Sequence, residues 1–292
     1  MEKIGESELI LNPDGSVYHI KLRPENIAND IIVVGDPGRV ERISRHFDKV
    51  EFKIQNREFI THTGTYKGKR VSVVATGIGP DNIDIVINEL DALVNIDLEK
   101  RVIKEKHTTL NIVRLGTSGA LQPEIAVDTA VMSSHGMGFD GLLDYYKVEK
   151  GIFEDDISEA FMKHSGWLPQ LPYPYVAKCS PYLLNKIGGE GDFHVGITAT
   201  APGFYGPQGR VLRLPTAIPD LNEKLETFSY KGNRITNFEM ETSALYGLSA
   251  LLGHNALTVC AIIANRIRKE FSSDYKKFVD VLVEKILNSL IA

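Results

Sequence analysis

The stretch 203-GFYGPQGR-210 sets a glutamine and an arginine two residues apart beside two aromatic rings. Gly203, Gly206, Pro207 and Gly209 cannot continue a helix or a central strand, so the segment reads as a loop. In locally extended chain, Gln208 and Arg210 share one face. A planar amide and a planar guanidinium, with Phe204 and Tyr205 beside them, are groups that would grip a flat heterocycle. In 31-IIVVGDPGRV-40 a strand runs into Gly35, and Asp36 and Pro37 stand where a helix cap and first helical residue belong. Amides at such a turn suit an anion, Gly35 permits close approach, and Arg39 adds a forked donor set. A capped helix with a surface arginine explains the same residues equally well.

Two further constellations carry chemistry. In 112-IVRLGTSGAL-121, Arg114 lies near the end of an apolar strand, where a charge is rarely placed unless paired. Gly116, Thr117, Ser118 and Gly119 follow at the strand's carboxyl end, where open α/β sheets take their ligands. A buried salt bridge is the alternative. In 237-NFEMETSAL-245, Glu239 and Glu241 flank Met240 where a strand meets a helix. Carboxylates so spaced suit a diol such as the hydroxyls of ribose; helix capping or surface pairing is the alternative. Arg57 in 56-NREF-59 and His19 in 17-VYHIKL-22 say little by themselves.

These residues need elements to hold them. Short β-branched runs at 31–34, 71–76, 112–116, 128–133, 195–200, 235–240 and 257–264 predict buried strands. Between them, Ile83, Val86, Ile87, Leu90 and Val94 fall at helical spacing over 80–94. Residues 241–253 and 274–290 predict two more helices. Strands alternating with helices mean an α/β domain around a largely buried sheet. The charged stretch 97–109 reads as a solvated helix or excursion, and the proline- and aromatic-rich zone 139–190 as a flap, an insertion or a structural loop. No repeat interrupts a single domain over 1–292.

The 292 residues are 43% hydrophobic and 24% charged, as in an ordinary globule with a large core. A net charge of −5 without a basic block argues against nucleic-acid or membrane-surface partners. Cys179 and Cys260 alone imply no disulfide framework. With no signal-peptide-like start and no membrane-length apolar run, a cytoplasmic location is expected.

Seven pieces in order, GDPGRV at 35–40, REF at 57–59, ATGIGPDN at 75–82, VRLGTSGA at 113–120, FYGPQGR at 204–210, FEMET at 238–242 and IIANR at 262–266, resemble the nucleoside phosphorylase superfamily. That superfamily includes uridine phosphorylases and hexameric purine nucleoside phosphorylases. The resemblance implies a twisted, mixed, partly barrel-like central sheet flanked by helices, with phosphate as co-substrate. It implies phosphate binding by Gly35, Arg39, Arg114 and Thr117, with Arg57 reaching in from a neighbouring subunit. It implies ribose binding by Met240 and Glu241, with His19 also from the partner chain. Base binding would fall to Phe204, Gln208 and Arg210, with Arg266 supporting the loop. A homo-oligomer, dimer or hexamer, follows from the shared residues.

Uracil presents an acceptor, donor, acceptor edge, which a glutamine amide and an arginine match. Purine enzymes of the superfamily carry an aspartate in a Ser-Asp context after the late strand; here Ala264 and Asn265 stand instead. The expected reaction is reversible phosphorolysis of uridine to uracil and ribose 1-phosphate, in pyrimidine salvage or catabolism. Purine phosphorolysis, nucleoside hydrolysis and a non-catalytic nucleoside sensor are the alternatives. No metal chemistry is expected, although some relatives bind potassium near the glutamate at Glu58. Here Asn82 replaces the serine expected there, Gly206 precedes Pro207 in the loop, and the segment from Asp91 to Asn111 is longer than in compact bacterial enzymes.

Overall fold

The computed structural model describes residues 3–189 and 193–292. The chain begins its sheet with β1 (Asp30–Val34), turns through α1 (Gly38–Ser44), and forms a meander of β2 (Lys49–Asn56), β3 (Phe59–Tyr66) and β4 (Lys69–Ala75). Helix α2 (Pro80–Asn95) follows, then a two-stranded excursion, β5 (Ile96–Asp97) and β6 (Val102–Ile103). The central strands β7 (Asn111–Ala120) and β8 (Ala130–Gly138) precede α3 (Asp155–Ser165), β9 (Tyr175–Lys178) and α4 (Pro181–Gly188). Next come β10 (Phe193–Thr200), α5 (Leu221–Thr227), β11 (Ser229–Tyr230), β12 (Asn233–Glu239) and α6 (Thr242–Leu251). The chain closes with β13 (Asn255–Asn265), β14 (Glu270–Phe271) and α7 (Tyr275–Ile291).

The principal sheet runs β11-β12-β10-β8-β13-β7-β1-β4-β3-β2. It is mixed: β7 is parallel to β1 and β13, whereas β13 is antiparallel to β8. An additional antiparallel pairing of β12 with β7, Asn237 to Ala120 and Phe238 to Gly119, closes β12, β10, β8, β13 and β7 into a ring. The expected partly barrel-like α/β sheet is therefore present. Strands β1 and β13 are nearly continuous apolar runs, and α2 buries Ile83, Val86, Ile87, Leu90 and Leu93 in the same core. Leu93 takes the core position expected for Val94, which is only partly buried.

Several expectations shift. Strand β7 does not end at Gly116 but continues to Ala120, because β13 pairs with it over that whole length. The 97–109 stretch forms the β5–β6 hairpin and loop, not a helix. The zone 139–190 contains α3, β9 and α4; β9 pairs with β8, and Phe139, Phe161 and Trp167 pack ring against ring in a second core. The meander β2–β3 had no apolar run to announce it, since β2 alternates partly buried with exposed residues and β3 buries Thr61, His62 and Thr63.

Candidate functional site

One cavity of about 950 Å³ gathers most of the residues singled out above. Gly35, Arg39, Glu58, Thr117 and Arg114 line it together with Phe204, Gln208, Arg210, Met240 and Glu241. Its size and mixed lining are those of a small-molecule site.

The barrel closure explains how its carboxylates meet its arginines. Past the Phe238–Gly119 pair, the chain leaving β12 runs back along β7 toward Arg114. Glu239 Oε2 lies 3.0 Å from Arg114 Nη1, and Glu241 Oε2 takes Nη2. The two acids then diverge. Glu239 accepts the backbone N–H groups of Glu241 and Thr242 and the Thr200 hydroxyl, so it caps α6 as well as holding Arg114. Glu241 accepts only the Gly79 N–H at 2.9 Å besides Arg114, and it faces the cavity. The helix-capping and buried-ion-pair alternatives thus both hold in part, Glu239 capping and Arg114 pairing.

Burial alone would pull the Arg114 guanidinium down, but Glu241 and Glu239 outweigh it and hold the group firmly charged. Burial pushes the Glu241 carboxyl above its ordinary value; Arg114 offsets part of this, and the neighbouring Glu239 adds to it. Gly116 makes room for the arrangement: a Cβ there would stand 2.2 Å from Arg114 Nη1.

Arg39 comes from α1 and donates through Nη1 to Leu115 O at 2.9 Å. Burial, then the charge of Arg114, displaces its pKa downward. Two guanidiniums that repel one another across a half-buried space, next to the Gly35 turn and Thr117, form a receptor for a multivalent oxyanion. Gly35 lies against Gly77 O, which a Cβ would approach to 3.3 Å.

At the other end, Gly206–Gln208 forms one turn of 3-10 helix and Gly209 takes φ +67°, so the loop is not extended there. Gln208 and Arg210 are brought together regardless. Arg210 Nη1 donates to Gln208 Oε1 at 2.6 Å and to Phe204 O at 2.5 Å. Gln208 is buried and its carbonyl accepts Arg266 Nη1 at 2.7 Å. Arg266 thus stands behind the loop, outside the cavity lining. The Arg210 guanidinium covers one face of Phe204, 3.8 Å from the ring centroid.

Asn265 is committed elsewhere. Its Nδ2 donates to Gln122 O and Ile125 O at 2.9 and 2.8 Å, and its Oδ1 accepts the N–H groups of Ile267 and Arg268. The cavity wall at this point is Ile263, Ala264 and Phe271, a contribution of β13 and β14 that sequence reasoning missed. Two-residue β14 has no periodicity that could have revealed it.

His19 and Arg57 do not reach the cavity. Arg57 is exposed at the tip of the β2–β3 hairpin with φ +53°, its guanidinium 5.2 Å from the Tyr18 ring centroid. His19 Nδ1 is 2.7 Å from Glu89 Oε1, and its ring packs edge-on against Tyr18 and Phe59. The two therefore share one surface region of their own.

The chain belongs to the phosphorylase superfamily, whose family model matches residues 30–292. It is 31% identical over 287 residues to a uridine phosphorylase of Thermococcus kodakarensis, covering 95% of this chain and 87% of that protein. It is 29% identical to the uridine phosphorylase of Escherichia coli, with 87% of this chain and 88% of the relative covered. The crystal structure of a Trypanosoma brucei nucleoside phosphorylase that shows uridine phosphorylase activity superimposes with a TM-score of 0.88 at 30% identity. That match covers 97% of this chain and 99% of the other.

Proposed function

We infer that this chain is a pentosyltransferase that catalyses reversible phosphorolysis of uridine to uracil and ribose 1-phosphate. The observation that carries the reading is the Gln208–Arg210 pair, joined by a 2.6 Å hydrogen bond in the cavity that also holds Arg39 and Arg114. With Oε1 turned toward Arg210, the Gln208 amide keeps one lone pair for the N3–H of uracil and its N–H groups for a ring carbonyl. Arg210, which only donates, takes O4. Cytosine offers a donor where Arg210 donates and an acceptor where uracil offers N3–H, a buried mismatch of about 1–3 kcal/mol. The sequestered Asn265 amide supports the same choice, since no acid is offered to a purine N7.

Phosphate, held by Arg39, Arg114, Thr117 and the Gly35 amide, attacks C1′ as the glycosidic bond stretches. Glu241 accepts the 2′-hydroxyl and Met240 lies beneath the sugar. Donors aimed at the leaving base stabilise its charge as it develops. The residue set that the superfamily resemblance implies is complete only when Arg57, for phosphate, and His19, for ribose, enter from a second copy; their shared position on one surface region supports a homo-oligomer with sites at the interface. Glu58 and Asn82 flank Gly77 and offer a carboxylate and an amide oxygen, too few donors from one chain for a hard cation. A potassium site would need oxygens from the second copy, and no step runs through it. Two reduced, buried cysteines and the absence, among the described residues, of any helix able to cross a membrane are compatible with a cytoplasmic setting.

The test is uracil release from uridine with and without phosphate, with inosine as control. Phosphate-dependent cleavage of uridine alone is expected. Release without phosphate would make the chain a hydrolase, and inosine cleavage would mean that the 204–210 loop reads another base.

A further inference from the structure

Glu89, in the third turn of α2, gives both its carboxylate oxygens to two adjacent residues of a distant segment. The backbone N–H of His19 lies 2.9 and 3.0 Å from Oε1 and Oε2, and that of Ile20 lies 2.8 Å from Oε2. Oε1 is also 2.7 Å from His19 Nδ1. A carboxylate only accepts, so Nδ1 carries a proton and the neutral ring keeps its lone pair on Nε2. Asn56 Nδ2 donates to the His19 carbonyl at 2.7 Å, and the ring stands edge-on to Tyr18 and Phe59. Both backbone groups and one ring nitrogen are thus fixed. The partly exposed Nε2 makes no hydrogen bond among the described residues. Holding the turn needs only the two backbone contacts. The third sets a side chain that does not reach the cavity of its own chain. Helix α2 has a second engagement, because Gly79 at its N-terminus donates its N–H to Glu241 Oε1 at 2.9 Å. At 1.5 Å per residue, Glu89 lies about 15 Å farther along the same helix.

We propose that Glu89 is a positioning residue for the ribose site of a second copy: by holding Nδ1, it aims the free Nε2 of His19 at a sugar hydroxyl. The proposal rests on the uridine reading above and on the entry of His19 from a neighbouring chain. Glu89 itself touches no substrate. In the receiving site, phosphate and base flank C1′ and Glu241 takes the 2′-hydroxyl, so the 3′- or the 5′-hydroxyl is left for Nε2. A ring already fixed at its backbone and at Nδ1 accepts that hydroxyl without having to be ordered first, whereas an unheld ring loses rotamer freedom at every binding event. One rigid helix therefore sets a sugar-facing carboxylate of its own site and, farther along, the histidine offered to its neighbour.

The measurement is kcat/KM for uridine divided by that for each of its 2′-, 3′- and 5′-deoxy analogues, with the full-length protein. His19→Ala should lower the 3′ or the 5′ ratio roughly 3- to 10-fold, the loss of one hydrogen bond. Glu89→Ala should lower the same ratio to nearly the same value, and the double variant should fall no further. The 2′ ratio, which belongs to Glu241, should stay within about twofold of wild type throughout, as general damage to the site would not allow. Co-expressing Glu89→Ala with an excess of Glu241→Gln tests the crossing between copies. The Glu241→Gln sites are nearly silent, so turnover reports the Glu89→Ala chains, whose ratio should recover when a neighbour brings an intact Glu89 and His19. Unchanged 3′ and 5′ ratios in Glu89→Ala, an equal loss in the 2′ ratio, or no recovery on co-expression would overturn the proposal. Should Glu89→Ala not fold, Glu89→Gln keeps an oxygen for the backbone N–H groups but removes the charge beside the ring. It should show part of the same fall, and an unchanged ratio there overturns the proposal equally. Wild-type ratios in His19→Ala, with phosphorolysis intact, remove His19 and Glu89 together from the ribose site. Absence of uridine phosphorolysis in the wild type removes the functional reading itself.

Discussion

Replacing Gly116 by alanine displaces a cavity arginine without altering any charge. The added Cβ would stand 2.2 Å from Arg114 Nη1, 2.8 Å from its Cζ and 3.0 Å from Cys260 Sγ. Strand β7 is held at Gly116 by β13, and on its other edge by β1 up to Arg114 and by β12 at Gly119 and Ala120. The guanidinium must therefore swing away, losing the 3.0 Å contact with Glu239 and its hold on Glu241. A hydrogen bond between charged groups contributes about 1.5–3 kcal/mol. At 1.36 kcal/mol per tenfold in rate, kcat/KM for phosphate should fall roughly 10- to 150-fold. Overpacking should cost about 1–3 kcal/mol of stability, enough to lower Tm without unfolding the chain. Steady-state kinetics with varied phosphate, normalised to the folded fraction by circular dichroism, measure the first effect and a thermal melt the second. Arg114→Lys provides the comparison that keeps the charge but loses the fork. A Gly116→Ala enzyme with KM and kcat for phosphate within twofold of wild type would refute the claim that this glycine sets the arginine's position.

Three other outcomes follow from the same geometry. Because burial raises the Glu241 carboxyl and the reaction needs it ionised, activity should fall as pH drops through a value above the ordinary carboxylate range of about 4.3. A kcat/KM profile should show that acid limb, and Glu241→Gln should lose it together with most of the activity; an acid limb that survives in Glu241→Gln belongs to another group. Asn265→Asp should not create purine phosphorolysis, because the new carboxylate would face the carbonyls of Gln122 and Ile125 in place of an N–H donor. It should instead cost about 1–3 kcal/mol, read as a lower urea midpoint, and inosine cleavage by the variant would contradict this. Burial pushes the thiols of Cys179 and Cys260 up to about 11, so native protein at mildly alkaline pH should not consume an aromatic disulfide reagent until denaturant is added.

Much of the site was legible because the chemistry is written in short segments. The Gly35 turn, the apolar strand carrying Arg114 and the Gly-Pro loop with Gln208 and Arg210 each announce themselves by local composition. What eluded sequence reasoning has little local signal. Strands β2 and β3 are polar or alternating, yet β3 is buried by the elements around it. The 139–190 zone looked irregular because its aromatic side chains answer to each other across turns and not to a single period. Phe271 reaches the cavity only because β14 folds back on β13.

The sequence by itself determined the inventory: which groups donate, accept or carry charge, and how each stretch of a few residues turns or extends. Only the tertiary structure decided which of them meet. Glu239 and Glu241 are two residues apart and both line the cavity, yet one spends its oxygens capping α6 while the other accepts only the Gly79 N–H besides Arg114. Arg114 and Glu241, 127 residues apart, are joined by the pairing of β12 with β7 that closes the barrel. Pairing between distant strands follows from the packing of the whole sheet, which no local window contains. His19 and Arg57 were placed the same way, together and away from the cavity, by contacts that their own neighbours in sequence do not encode.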